Sequence, residues 1–442
     1  MSANFVNVDR DTPMLLPPDL RDWIPENDLV HFVIDAVDML DLSSFSINNR
    51  GCGSAQYPPR MMLALLIYCY ATGIFSSRKI ELATYRDIAV RYICGGDKHP
   101  DHDTICSFRL KNRTVFKEAF VKVLMMAGET GHLKTVGGIS VDGTKIKANA
   151  SKHSAVSYKR AVEKLKQLEL EIEELTHKAE EADSAPLLDG LTIPDEISRR
   201  KDRKKALEEA CSIIEERYED MYREKQAEYE EKKKKRDRIR KDGKKPRGKE
   251  PEPPDNTPPD KMQMNFTDEE SRIMKAGNGN HYDQCYNAQA AVDTEGSMLI
   301  LGKYVTNHVN DKRELEPCVT SVDSAIRTIS DVSADTGYFS ENAIVTVEAD
   351  GSGPTVYCAV EKQGHHRSVQ DLEEHGDPPP PPADTTAKGK MAHRLKTRCG
   401  KDRYKLRKET VEPVFGIIKS VMGFRQFLLR GIEKVELEWD MV

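Results

Sequence analysis

The sequence predicts a protein of mixed α+β and α/β character: a mixed sheet flanked by helices, a helical domain ahead of it, and a long antiparallel helical hairpin inserted after the first strand. Three observations carry that expectation. Apolar residues within 1–130 recur at helical spacing, and short alternating segments appear from residue 136 onward. Between these, residues 154–221 keep apolar positions three and four apart among Glu and Lys. At 442 residues the chain has material for two or three domains.

Pro58 and Pro59 stand where a helix can begin, because a missing N–H costs nothing in the first turn, and Met62, Leu65, Leu66 and Cys69 follow on one face. Ser76 and Ser77 read as an N-cap before a helix with Ile80, Ala83 and Ile88 turned inward. Thr104 opens a further helix carrying Phe108. These helices make residues 1–130 a helical, DNA-binding domain. Its basic positions Arg78, Lys79, Arg86, Arg91, Arg109, Lys111 and Arg113 are read as exposed; the commoner alternative is a solvated charged face.

From Thr135 the period changes. Val136, Ile139 and Val141 approach strand alternation and the chain breaks at Gly143, so Asp142 is expected at a strand end, in a first part of the sheet domain over 131–153. The hairpin occupies 154–250. Its first helix runs from Ser154 to Ala182, with Tyr158, Leu165, Leu168 and Ile172 on one face; its second carries Leu207, Cys211, Ile214 and Tyr218. The stretch Ser184 to Pro194 separates them. A Pro-rich segment, Pro251 to Pro259, is expected to be a disordered linker over 251–266.

The second part of the sheet domain, 267–442, begins with strands over Cys285 to Asp293 and Met298 to Thr306, joined at Thr294, Glu295 and Gly296. Leu315, Val319, Val322 and Ile326 then predict one helix. Ile329 to Ala334 is a strand ending at Asp335, and Thr355 to Val360 another. Five prolines, 378 to 382, mark a loop, and a last helix holds Val411, Val414, Phe415, Ile418 and Met422.

Charge narrows the function. With 67 Lys plus Arg against 73 Asp plus Glu the net charge is -6, which excludes a uniformly basic DNA-coating protein. Basic residues are instead concentrated from Lys232 to Lys249 and from Lys388 to Lys408, so local patches must meet any polyanion. Nine cysteines without a Cys-x-x-Cys pair argue against a zinc ribbon or disulfide framework and for a reducing compartment. The longest apolar run, Met61 to Tyr70, is far short of a membrane span, and the N-terminus lacks a signal pattern; a soluble, cytoplasmic, nucleoid-associated protein is expected, with no membrane partner.

Three acids stand out: Asp142, Asp335 and Glu412. The order strand, insertion, two strands, helix, strand, strand, loop, helix is that of an RNase H-like domain, in which the first and fourth strands are neighbours. That adjacency brings Asp142 to Asp335, and Glu412 reaches them from the final helix. Such a carboxylate cluster suits hard divalent cations and phosphodiester chemistry. The plain alternative for an Asp before Gly is a turn former. Lys145 follows Asp142 as a cation, while Lys408, Gly416 and Lys419 are read on the helix face of Glu412, where the alternative is a surface Lys-Glu pair contributing roughly 0.2–0.5 kcal/mol. His99, His102 and Asp103 read better as a polar loop than a metal site. Tyr282, Tyr286 and Tyr338 fit core packing at least as well as base stacking.

At these residues the sequence resembles the DDE transposases of bacterial and archaeal insertion sequences, most closely the insertion-sequence 1182 family. The resemblance runs through Tyr57-Pro58-Pro59-Arg60, Ser76-Ser77-Arg78-Lys79, Asp101-His102-Asp103-Thr104, Val141-Asp142-Gly143-Thr144-Lys145, Thr267 to Arg272, Tyr286-Asn287-Ala288-Gln289, Ala334-Asp335-Thr336-Gly337-Tyr338, Val411 to Lys419, and Phe427 to Gly431. It implies metal-dependent cleavage at transposon ends and strand transfer, with Asp142, Asp335 and Glu412 as catalytic residues and ligands of two Mg²⁺ or Mn²⁺ ions. It also implies transposon-end DNA with inverted repeats and target DNA as partners, a homodimer on DNA, and phosphate contacts from Lys145, Arg78, Arg109, Lys408 and Lys419. In relatives an Arg precedes the third acid by one turn; here Lys408 holds that place, and Tyr404 and Arg407 lie one residue further upstream. Relatives also continue beyond Trp439, so a truncated final helix is expected. The rival expectations are an inactive or domesticated transposase-derived DNA-binding coiled-coil protein and a general RNase H-like nuclease.

Overall fold

The computed structural model describes residues 19–46, 56–181, 193–241, 246, 248–275, 281–361, 376–382 and 385–442. Among these the helices are α1 (Leu29–Asp38), α2 (Pro59–Ala71), α3 (Ser77–Arg86), α4 (Ile88–Ile93), α5 (His102–Lys111), α6 (Arg113–Glu129), α7 (Tyr158–Glu181) and α8 (Ile193–Lys241). After them come α9 (Leu315–Thr320), α10 (Glu341–Glu348), α11 (Ala387–Lys396), α12 (Arg398–Glu409), α13 (Val411–Gly416) and α14 (Ile432–Met441). The strands are β1 (Val136–Lys147), β2 (Ala155–Ser157), β3 (Gln263–Asn265), β4 (Arg272–Lys275), β5 (Tyr282–Asp293), β6 (Ile300–Thr306), β7 (Thr328–Ala334) and β8 (Thr355–Cys358). Two compact units result, one of Met1–Ile146 with Asn287–Val442 and one of Lys147–Tyr286.

In the first unit, α2 is buried nearly all round, from Met62 through Leu66 and again at Tyr68 to Tyr70, as a helix must be when its neighbours pack on every side. α3 is shorter than the apolar spacing predicts. Asp87 ends it and caps α4, accepting from Val90 N at 2.9 Å, so Ile88 opens α4 instead of lining α3. Likewise α5 begins at His102 and not at Thr104, capped by Asp101, whose carboxylate accepts from Thr104 N at 2.6 Å.

β1 pairs in parallel with β7, and β7 in parallel with β8; β5 pairs antiparallel with β6 and lies next to β1. This mixed sheet bears out the expectation that the first strand and the strand before Asp335 are neighbours. A parallel pair needs a crossover, and α10 supplies it between β7 and β8. That helix has no counterpart in the sequence reading. Ile139, Val141, Val332, Ala334 and Val356 bury the sheet's inner face with Leu124, Leu315 and Tyr338.

Three expectations are corrected here. β1 does not break at Gly143 but continues to Lys147, so Asp142 lies within the strand. Glycine leaves room there for neighbouring side chains: a Cβ would stand 2.2 Å from Gln289 Nε2 and 2.8 Å from Asp311 Oδ1, and both would have to shift. The helix expected through Ile326 stops at Thr320, and Val322 and Ile326 are buried in a turn closed by Ile326 N to Asp323 O. Glu412 is not on the final helix; α14 follows it and buries Val435, Leu437, Glu438 and Trp439. The basic stretch before Glu412 is also more ordered than its composition suggests. Thr386 and Thr397 cap α11 and α12 through Gly389 N and Gly400 N.

The second unit is built on the hairpin. Tyr158 bonds Glu215 at 2.7 Å, Lys204 meets Glu169 at 2.9 Å and Arg200 meets Glu171 at 3.0 Å, a set of pairings that only antiparallel helices allow. Ala161, Leu168, Leu207, Ala210 and Ile214 close the seam, and β2 and β3 seal one end with Val156 and Met264. The break from Ser184 lies largely outside the described residues. The segment expected as a free linker over 251–266 is held instead: Tyr218 Oη donates to Asp255 O at 2.7 Å, and the segment ends in β3; just before it, Arg236 binds Gly248 O and Lys249 O. β4, also absent from the sequence reading, pairs with residues 282–285 of β5.

Candidate active site

The parallel pairing of β1 with β7 reaches Ser140↔Ser333, and Asp142 and Asp335 each follow two residues later on their chains. Asp335 leaves β7 and caps a short turn, its Oδ1 accepting from Gly337 N at 2.7 Å. Asp142 Oδ1 accepts from Gly143 N at 2.9 Å. The third acid arrives by a different route. α12 stops at Glu409 and Thr410 takes φ -121 and ψ -77, a non-helical residue that turns the chain before α13.

That break changes which cation faces the acids. On one continuous helix Lys408 would lie beside Glu412, but here Lys408 is exposed. Arg407 takes the place. Its Nη1 lies 3.3 Å from Asp142 Oδ2 and its Nη2 2.8 Å from Glu412 Oε1, so one guanidinium spans two of the three acids. Tyr404, one turn back, lies 5.9 Å beneath the Arg407 guanidinium. The interruption at Thr410 brings Arg407, and not Lys408, to Asp142 and Glu412 in space.

Burial pushes the Asp142 carboxyl up to about 7, against the pull of Arg407, with the nearby charges of Asp335 and Asp311 adding to the rise. Burial works against the charge of Arg407 as well, but Asp142, Tyr404, Glu412 and Asp335 around it raise its pKa overall. The donor chemistry fits a hard divalent cation: carboxylate oxygens only, one of them recessed among like charges that a cation would relieve. Among the described residues no three His, Cys, Asp or Glu side chains are gathered closely enough to hold a metal. Arg407 occupies the charge-balancing role between Asp142 and Glu412.

Asp311 is a residue the sequence reading missed. Its Oδ1 takes Asn287 Nδ2 at 2.6 Å, Gln289 Nε2 at 2.9 Å and Lys145 Nζ at 3.1 Å, while Gln289 Oε1 accepts from the buried Tyr338 hydroxyl. One carboxylate therefore ties the backbone after Asp142 to that after Asp335 through β5. Only the tetrapeptide Tyr286 to Gln289 signalled it, and no spacing linked that tetrapeptide to Asp311.

Of the cations read as phosphate contacts, Arg109 is corrected. It is 3% exposed, donating to Tyr70 Oη at 2.9 Å and to Cys106 Sγ at 3.4 Å, so it braces α2 against α5 out of reach of DNA. Lys145 is paired with Asp311, whereas Arg78 is exposed and Lys419 half-buried. Tyr286 and Tyr338 are fully buried and cannot stack on bases; Tyr282 is exposed. His102 is paired with Glu81 at 2.8 Å and His99 stacks on Tyr85, as expected of a structured loop and helix start.

Two segments of the chain match known families. Residues 18–111 match the Transposase domain (DUF772), covering α1 to α5, and residues 381–442 match the Transposase DDE domain, covering Arg407 and Glu412. Two segments of the chain are thus similar to transposase domains, and a DDE domain of this kind implies a nuclease or transposase enzyme that binds transposon DNA. More particularly, the two matches together support a DDE transposase of insertion-sequence type, a family that generally uses divalent metal ions. No curated protein and no solved structure matches the chain. Among the described residues no helix is long and apolar enough to cross a membrane.

Proposed function

We propose that this transposase cuts DNA at transposon ends and joins them to target DNA, with Asp142, Asp335 and Glu412 as its catalytic acids. The observation that carries the reading is the parallel pairing of β1 with β7, together with the Arg407 bridge from Asp142 to Glu412, which ties together three acids that are remote in sequence. Numbered along the chain within their unit, the strands run third, second, first, fourth, fifth across the sheet, which supports an RNase H-like domain.

Asp142, Asp335 and Glu412 would hold Mg²⁺ or Mn²⁺, two ions in all; such ions activate water or a 3′-hydroxyl and stabilise the leaving oxygen. Arg407 balances the acids until they are loaded. Asp311, through Lys145, Asn287 and Gln289, fixes the two strand ends. The helical domain over 1–130, with Arg78, and the cations Lys408 and Lys419 contact end DNA, and two copies bring the two inverted-repeat ends together. The order of its motifs supports membership of the insertion-sequence 1182 family.

The test is nicking of a labelled duplex carrying the element's end. Mg²⁺-dependent cleavage is expected in the wild type and a loss of about a hundredfold or more in Asp142→Asn, Asp335→Asn and Glu412→Gln, with duplex binding kept. Cleavage that persists in all three variants overturns the assignment.

A further inference from the structure

The hairpin unit carries a concavity of about 340 Å³ whose lining includes Arg160, Lys164, Arg203, His153 and Phe266. Its charge is unusual for this surface. Elsewhere on the hairpin, Lys159, Arg200 and Lys204 each meet a carboxylate. Among the described residues Arg160, Lys164 and Arg203 form no ion pair, although Arg160 and Lys164 come from α7 and Arg203 from α8 and all converge on one hollow. Partial burial and the neighbouring charges of Arg203 and Arg160 lower the pKa of Lys164, the mark of cations crowded without a counter-charge. On one wall the Phe266 side chain is left 48% exposed, an apolar surface beside the positive one.

We propose that this hollow is a binding site for the phosphodiester backbone of DNA: Arg160, Lys164 and Arg203 engage adjacent phosphates and Phe266 packs against the deoxyribose between them. Clustered uncompensated cations are costly alone and are relieved by a polyanion. Arginine's planar fork suits phosphate oxygens, and a sugar ring offers the apolar face that Phe266 lacks a partner for. The site reads no base edge, so it holds any duplex alike. It rests on the DNA-binding character of the transposase and not on the assignment of the three acids.

The experiment measures binding of the full chain to a fluorescent duplex, by anisotropy across a salt series, for wild type, R160Q/K164Q/R203Q and R160K/R203K. Glutamine keeps length and helix propensity, and thermal melting checks folding. The expected result is a tenfold to hundredfold loss of affinity in the glutamine variant, equal for end and random duplexes, with the log–log salt slope reduced by about 2 to 3. The lysine variant keeps the wild-type slope. A folded glutamine variant with unchanged affinity and slope overturns the proposal, as does a loss confined to end sequences. Nicking by the glutamine variant at saturating DNA separates the two readings. If the site only binds, cleavage there approaches the wild-type rate, whereas Asp142→Asn binds normally and does not cleave.

Discussion

Arg407 holds two acids that would otherwise repel each other, and its replacement exposes what it does. In Arg407→Ala, Asp142 keeps its burial but loses its nearest opposite charge, which should cost on the order of 1–3 kcal/mol of stability in the absence of divalent ions. Added Mg²⁺ should then raise the melting temperature of the variant more than that of the wild type, because a ligand favours the state it binds. Calorimetry with EDTA and with Mg²⁺ checks both; equal shifts would count against a cation among these acids. Asp311→Asn is the second residue-scale case. The substitution keeps the shape but removes the charge on which Lys145, Asn287 and Gln289 converge. Cleavage should fall about tenfold or more with DNA affinity unchanged, since small misplacements of reacting groups act on the rate.

Among the elements, the interruption between α12 and α13 decides the site, because a continuous helix would bring Lys408 and not Arg407 to Glu412. The turn that follows is held from the other side by α2. Gly73, just past its end, has φ +81, and a Cβ there would lie 2.8 Å from Met422 O. Both facts demand glycine. Gly73→Ala should destabilise the chain by about 1–3 kcal/mol, through the left-handed backbone and the displaced turn, as measured by urea unfolding. No loss would mean that the backbone at Met422 is free to shift.

For the molecule as a whole, α14 couples stability to pH. Glu438 is fully buried, and burial pushes its carboxyl up to about 7, although Leu428 N and Leu429 N both donate to it and Arg109 attracts it. A raised acid means that the folded state binds the extra proton between the unfolded value, near 4.5, and the folded one, near 7. Stability from this group is therefore fully present below pH 4.5 and is lost as pH rises to 7, a change on the order of 3 kcal/mol. Glu438→Gln should flatten that slope and stabilise the fold at pH 8. Denaturant melts of both proteins at pH 5, 6.5 and 8 test it, and parallel curves would show that Glu438 does not titrate there.

Much of this was legible in the residues themselves. The strand carrying Asp142, the strand ending at Asp335, the hairpin seam of Leu168, Leu207 and Ile214, and the order of the three acids follow from periodicity and turn chemistry, which are local. The residues at fault in the sequence reading are those whose role is set at a distance. Gly143 resembled a strand break because its crowding by Gln289 and Asp311 comes from other segments. Arg109 resembled a surface cation because its partner Tyr70 lies 39 residues away. α11 and α12 carry few buried side chains and so little apolar period, and their threonine caps were the only local signal. Local order thus determined which acids the chain carries and on what elements. Tertiary packing decided that Arg407 bridges Asp142 and Glu412 and that Asp311 steadies the strands, because side chains on separate elements meet only after the sheet has closed.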